Sequence, residues 1–131
     1  MEMMNRVAVI TGGSGGIGKA MAKAFLAEGA KTVVLADLNA DAVNAAAVEI
    51  GCSGKTCDVT NEAQVAALVN ETIAEHGKID LFCSNAGAGG AGLLTDAENE
   101  VWQMQWELHV MSHLYAARAV LPSMIERGEG Y

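Results

Sequence analysis

Arg6-Val7-Ala8-Val9-Ile10-Thr11-Gly12-Gly13-Ser14-Gly15-Gly16-Ile17-Gly18 is the stretch on which the fold turns. Its four consecutive apolar residues, Val7, Ala8, Val9 and Ile10, suit a strand over 6–11 that is covered on both faces. The glycines that follow let the backbone turn sharply, and an amphipathic stretch over 16–28 reads as a helix stopped by Gly29. A helix N-terminus offers unpaired N–H groups and a positive dipole end, so such a loop between strand and helix is a cradle for a diphosphate. A lone GxGxxG is weak evidence, but here Asp37 ends a second apolar run nineteen positions after Gly18. A carboxylate there accepts hydrogen bonds from the adenosine ribose hydroxyls of a dinucleotide and repels a 2′-phosphate. Neither Gly15 nor Leu38 supplies a cation to reverse that preference, so NAD is favoured over NADP.

Outward from this unit, short β-branched runs alternate with long alanine-rich amphipathic stretches, the pattern of an open parallel sheet with helices on both faces. The second strand spans 32–36, and a helix capped by Asn39 runs until Gly51. A third strand over 54–58 precedes a helix capped by Thr60 or Asn61, with Val65, Leu68, Val69, Thr72, Ile73 and His76 at helical spacing up to Gly77. The fourth strand spans 79–84. Thr95 and Glu98 match a capping box that opens a long helix, 95–127, in which Pro122 introduces a bend or weak point. The fold class is therefore α/β, a Rossmann-like doubly wound sheet of four strands and four helices. It is incomplete, because the fourth strand has a buried-type sequence on an open edge that something should cover.

Composition narrows the function. Half of the 131 residues are apolar (51%), and 16 acidic against 8 basic residues give a net charge of -8 without any Lys/Arg cluster. That argues against disorder, against a nucleic-acid footprint and against a polybasic membrane contact. Small molecules or other proteins are the expected partners. No apolar run reaches the roughly 18 residues of a membrane span, and glycines come too early for a signal-peptide core, which suggests the cytoplasm. Cys52, Cys57 and Cys83 leave one thiol odd and lack metal-pair spacing, so they read as structural thiols.

Rival motifs are weaker. Gly13 to Lys19 fits GxxxxGK, but Ala20 stands where a triphosphatase needs a hydroxyl for magnesium. Gly87-Ala88-Gly89-Gly90-Ala91-Gly92 repeats GxGxxG after the fourth strand, yet it has no acidic partner on a later strand and no helix directly behind it. A loop lying against a bound cofactor fits it better. His109 and His113, one helical turn apart, could pair on a metal, but no third ligand is evident and no metal is expected.

With Thr11, Gly12, Gly16 and Gly18 as TGxxxGxG, Asp37, the pair Asp58-Val59, and Asn85-Ala86-Gly87 after the fourth strand, essentially the whole chain resembles the short-chain dehydrogenase/reductase family. The resemblance implies an oxidoreductase that moves hydride between an alcohol or carbonyl and NAD. It implies that Gly12, Ser14, Gly15, Gly16, Ile17 and Gly18 hold the diphosphate, Asp37 with Leu38 the adenosine ribose, and Asp58 and Val59 the adenine. Asn85, Ala86 and Gly87 would brace the sheet beside the cofactor, with Ser84 where the family usually has a first Asn. His109 occupies the position of the family's relay Asn, thirteen residues before Leu121-Pro122-Ser123-Met124.

The family's proton donor is a Tyr with a Lys four residues later, preceded by a Ser. Here the only tyrosines are Tyr115 and Tyr131, and the last lysine is Lys78, so no such pair exists in the chain. The expectation is a cofactor-binding domain over 1–131, truncated before the catalytic segment and inactive alone. A noncatalytic dinucleotide-binding or interaction module, or one half of a split enzyme completed by a C-terminal half, are the alternatives. The family's use of the long helix in subunit pairing also implies a homo-oligomer through 95–127.

Overall fold

The computed structural model describes residues 2–90 and 92–131. Four parallel strands, β1 (Val7–Thr11), β2 (Thr32–Asp37), β3 (Ser53–Thr56) and β4 (Leu81–Cys83), form one sheet in the order β3-β2-β1-β4. Their connections are α1 (Gly16–Ala27), α2 (Ala40–Ile50) and α3 (Glu62–His76). After β4 come α4 (Asn99–Trp106), a π-helical turn (Glu107–Met111) and α5 (Ser112–Arg127), which continue one another.

The doubly wound arrangement follows from the side-chain alternation of the two central strands. Ala8, Ile10, Val33 and Leu35 face α1 and α2 with Ala22, Val43 and Ala46, whereas Val9, Val34 and Ala36 face the opposite layer with Val65, Leu68, Val69, Ala116, Val120 and Met124. All the residues of β1 and β2 named here are fully buried. Burial of each Val, Ile or Leu contributes about 1.5–3 kcal/mol, so a strand needs apolar side chains at every position to hold two layers. Asn39 and Asn61 cap α2 and α3, their side chains accepting from the amides of Ala42 and Gln64. Asn61, rather than Thr60, is therefore the cap of α3. Gly51 and Gly77 end these helices in the left-handed conformation, at φ 79° and 89°.

Three expectations need correction. The long helix does not open at a Thr95–Glu98 capping box: the Thr95 hydroxyl donates to Asp96 instead, at 2.7 Å, and α4 starts at Asn99 with Glu98 making no side-chain cap bond. Ile17, in the first turn of α1, is 71% exposed, because at the start of the helix it is Gly18 that turns toward the loop and sheet. β4 is shorter than 79–84, and the amide of Asp80 bonds instead to the carbonyl of Val7 at the foot of the sheet. Pro122 lies inside α5, which runs on to Arg127, while the departure from α geometry falls upstream in the π turn.

Tyr131 lies on the outer edge of β4. Its amide donates to the carbonyl of Asp80 and its carbonyl accepts from the amide of Phe82, both at 2.9 Å, which is the bonding of a parallel strand entering beside Leu81. Nearby, the fully buried Asp80 carboxylate accepts from the Val7 amide (2.9 Å), Lys78 (2.9 Å) and Arg6 (3.3 Å). Arg6 also reaches Glu129 at 2.6 Å, so one charge cluster ties the starts of β1 and β4 to the turn after α5.

Candidate functional site

The sheet order changes direction between β1 and β4, the place where an open α/β sheet leaves a crevice beyond the carboxyl ends of its strands. A cleft of about 540 Å³ lies there. Gly12, Ser14 and Gly15 line it from the loop after β1, Asp37 and Leu38 from the end of β2, and Asp58 and Val59 from the segment after β3. Ala86 and Gly87 complete the expected set.

The glycines of the loop serve two purposes. Gly12, at φ 64°, passes so close to the segment after β4 that a Cβ would sit 2.9 Å from Ala86 Cα, and a Cβ on Gly18 would sit 2.4 Å from the Gly12 carbonyl oxygen. These two let backbones cross. Gly16 has nothing within 4 Å, and the nearest atom to a Cβ on Gly15 is the Gly12 oxygen at 3.4 Å. Space is therefore left open in front of α1. That helix has no side-chain cap and no acidic residue in its first turn, so its leading N–H groups are not answered by a protein anion. The cradle fits a diphosphate.

Asp37 is held from behind. The amide and the hydroxyl of Ser14 both donate to its Oδ2, at 3.0 and 2.7 Å, which leaves Oδ1 for a ligand hydroxyl. Asp58 is braced similarly: its Oδ1 accepts from the amide and hydroxyl of Thr60, at 2.9 and 2.7 Å, while its own amide donates to Gln64. Thr11 and Asn85 stand behind the wall rather than on it. The Thr11 hydroxyl accepts from the amides of Asn85 (3.0 Å) and Ala86 (3.1 Å), and Asn85 Nδ2 returns a bond to the Thr11 carbonyl at 3.0 Å. Thus the residues after β1 and β4 are sewn together across the crevice.

The remaining candidates stand apart. Gly16 and Ile17 are exposed at the start of α1 and do not line the cleft. His109 does not line it either; it lies in the π turn with Nε2 2.9 Å from the Ala88 carbonyl. Ala88 belongs to the loop expected to lie against a cofactor, whereas Cys57, Thr60, Met104 and Leu108 line the cleft without having been expected there. The spacing of Met104 and Leu108, one helical turn apart on the long helix, was the available signal for two of them. Burial and the nearby Asp58 push the Cys57 thiol up to about 11, which keeps it protonated. Burial, then the carboxylates of Glu107 and Glu62, push the Tyr115 phenol above the ordinary value, and its hydroxyl points to Glu107 at 3.4 Å. Among the described residues no three His, Cys, Asp or Glu gather as a metal site, and no helix is long and apolar enough to cross a membrane.

Comparison with known proteins agrees with this fold. The chain is 37% identical to an uncharacterized oxidoreductase of Staphylococcus haemolyticus, over 99% of its own length and 57% of that protein. It is 36% identical to the 7alpha-hydroxysteroid dehydrogenase of Escherichia coli, over 99% of its length and 52% of the enzyme. The crystal structure of an NAD⁺-bound xylitol dehydrogenase superposes with a TM-score of 0.90 at 29% identity, covering 99% of this chain and 52% of that one. The chain thus spans about half the length of the relatives it matches. The profile of the short chain dehydrogenase family matches residues 6–131, and on that match, its parallel sheet and its glycine loop the chain belongs to the short-chain dehydrogenase family.

Proposed function

We propose that residues 1–131 form the cofactor-binding domain of an NAD-dependent oxidoreductase acting on an alcohol or carbonyl. The observation that carries this reading is the pairing of an uncapped helix N-terminus with a carboxylate already oriented toward the same cleft. In this reading Gly12, Ser14, Gly15 and the first turn of α1 hold the diphosphate, Asp37 takes the adenosine ribose, and Asp58 and Val59 border the adenine. Bound NAD supplies or accepts the hydride. Asp37 confers the preference for NAD because its charge, uncompensated by any cation at Gly15 or Leu38, repels a 2′-phosphate.

The proton-transfer groups belong, in this proposal, to the part of the relatives' length that the chain does not span. Its support is that none of the 131 residues forms Tyr-xxx-Lys and that Tyr115 is held as a poor acid. We further place the protein in the cytoplasm, on its three unpaired thiols, and pair it with a second copy through the long helix. Trp102, Trp106, Val110, Leu114, Leu121 and Ile125 all leave 39% or more of their surface exposed along that helix, an apolar stripe that suits a partner.

Fluorescence titration with NADH and NADPH tests the cofactor reading. NADH is expected to bind at least tenfold more tightly, with the difference abolished by Asp37→Ala. Failure of both to bind, or tighter binding of NADPH, overturns it.

A further inference from the structure

The second glycine-rich segment has no diphosphate to hold, and its described residues lie against the long helix instead. A Cβ on Gly87 would sit 2.8 Å from His109 Cε1, so glycine there is the space the imidazole ring occupies. The ring's Nε2 is 2.9 Å from the carbonyl oxygen of Ala88. A carbonyl only accepts, so Nε2 carries a proton and is the donor. One turn earlier Gln105 lies over Gly90, where a Cβ would be 3.5 Å from its Cδ, and its buried Nε2 has no hydrogen-bond partner among the described residues. The helix thus presents two donor side chains to the loop, one of them engaged. His109 sits within the π turn, an irregularity that adds a residue to the helix and re-aims the side chains on it.

Ala86, Gly87 and Ala88, together with Met104 and Leu108, line the part of the cleft away from the ribose anchor. With the diphosphate at α1 and the adenosine at Asp37, that part is left for the second nucleoside of a dinucleotide. We infer that His109 is a positioning residue, which fixes the 87–90 loop as the wall against that second nucleoside. The inference rests on the dinucleotide reading above. His109 does not touch the ligand; it acts through the Ala88 carbonyl and through the shape of the loop at Gly87.

The test compares NADH with ADP, which retains the adenosine and diphosphate and lacks the second nucleoside, on the whole protein and on His109→Leu and His109→Gln. One hydrogen bond to the loop corresponds to about a three- to tenfold change in affinity. His109→Leu is expected to weaken NADH by that factor and leave ADP unchanged, while His109→Gln, whose amide can still donate, keeps NADH within about twofold. ¹⁵N spectra of the imidazole in the unaltered protein are expected to show a proton on Nε2. Equal effects on both ligands, no effect on NADH, a Gln variant as weak as Leu, or an Nε2 without a proton each overturn the inference. The spectrum needs no variant and decides the matter if His109→Leu does not fold. Unaltered protein that binds neither NADH nor ADP overturns the dinucleotide reading itself, an outcome distinct from all of these.

Discussion

Ser14 donates twice to a single oxygen of Asp37, from its amide at 3.0 Å and from its hydroxyl at 2.7 Å. The loop after β1 and the end of β2 thereby set the direction of the carboxylate before any ligand arrives. Ser14→Ala removes the shorter bond and keeps the amide bond. It is expected to weaken NADH about three- to tenfold, less than a direct bond to a charged group because the loss reaches the ligand only through the carboxylate's direction, and to narrow the gap between NADH and NADPH. Titration of the two nucleotides side by side measures both effects.

Gly16 and Gly18 are expected to respond oppositely to alanine. At Gly18 the new Cβ meets the Gly12 carbonyl oxygen at 2.4 Å and Gly13 Cα at 2.8 Å, so backbone must shift and stability falls by about 2–3 kcal/mol. At Gly16, in the first turn of α1, the Cβ meets nothing within 4 Å, and replacing a helical glycine favours folding by about 0.5–1 kcal/mol. Gly16→Ala should therefore raise the urea midpoint while weakening NADH, because the space it fills is the space in front of the helix. Urea unfolding and nucleotide titration on the same two variants separate the roles.

Thr11→Val keeps the shape of a side chain that is 2% exposed and removes the hydroxyl that receives the amides of Asn85 and Ala86. Leaving part-buried donors unanswered costs about 1–3 kcal/mol each, so a total loss near 2–4 kcal/mol is expected from chemical unfolding. Nucleotide affinity should fall with it, since the two sides of the crevice are no longer tied.

Asp80 makes stability depend on pH in the acid range. Burial pushes its carboxyl up, but the Val7 amide, Lys78 and Arg6 together outweigh burial and hold it below its ordinary value of 3.8. A group lowered by folding lends stability that is fully present above the ordinary value and is lost as pH falls through the folded one. Asp80→Asn should cost about 2–3 kcal/mol at pH 7, less than a fully enclosed pair because Lys78 and Arg6 are partly solvated. The gap between variant and unaltered protein should close below about pH 4, and urea midpoints across pH 2.5–7 follow it.

The glycine loop, the carboxylate at the end of β2 and the first three helices could be read from the chain because each rests on local chemistry. Asn39, Gly51 and Gly77 mark helix ends by what their own backbones and side chains do, and β1 and β2 announce their two covered faces by lacking any polar residue between Val7 and Ile10 or Val33 and Ala36. The opening of the long helix could not be read that way. Thr95 has the spacing of a cap, yet Asp96 competes for its hydroxyl, and a competition between neighbours is invisible to a motif. No residue type signals the π turn at Glu107–Met111. In the cleft, Cys57 and Thr60 beside Asp58, and Met104 and Leu108 on the long helix, come from separate segments that only the sheet order brings together, so local pattern carried no sign of them beyond the helical spacing of the last two.

The strands of this sheet differ in how firmly they are held. β1 is paired along both sides, over five residues to β2 and three to β4, whereas among the described residues the far side of β4 is bonded by the backbone of Tyr131. In amide exchange, protection should be deepest at Val9 and Ile10 and shallower at Phe82, whose N–H rests on that last bond. Asn85 and Ala86 hang from Thr11 directly behind β4, so each transient parting of this narrow strand would also slacken one side of the crevice. The breathing of the cleft is then set by the most lightly fastened strand, and whatever reinforces the Tyr131 edge would slow the nucleotide's departure as well as the strand's.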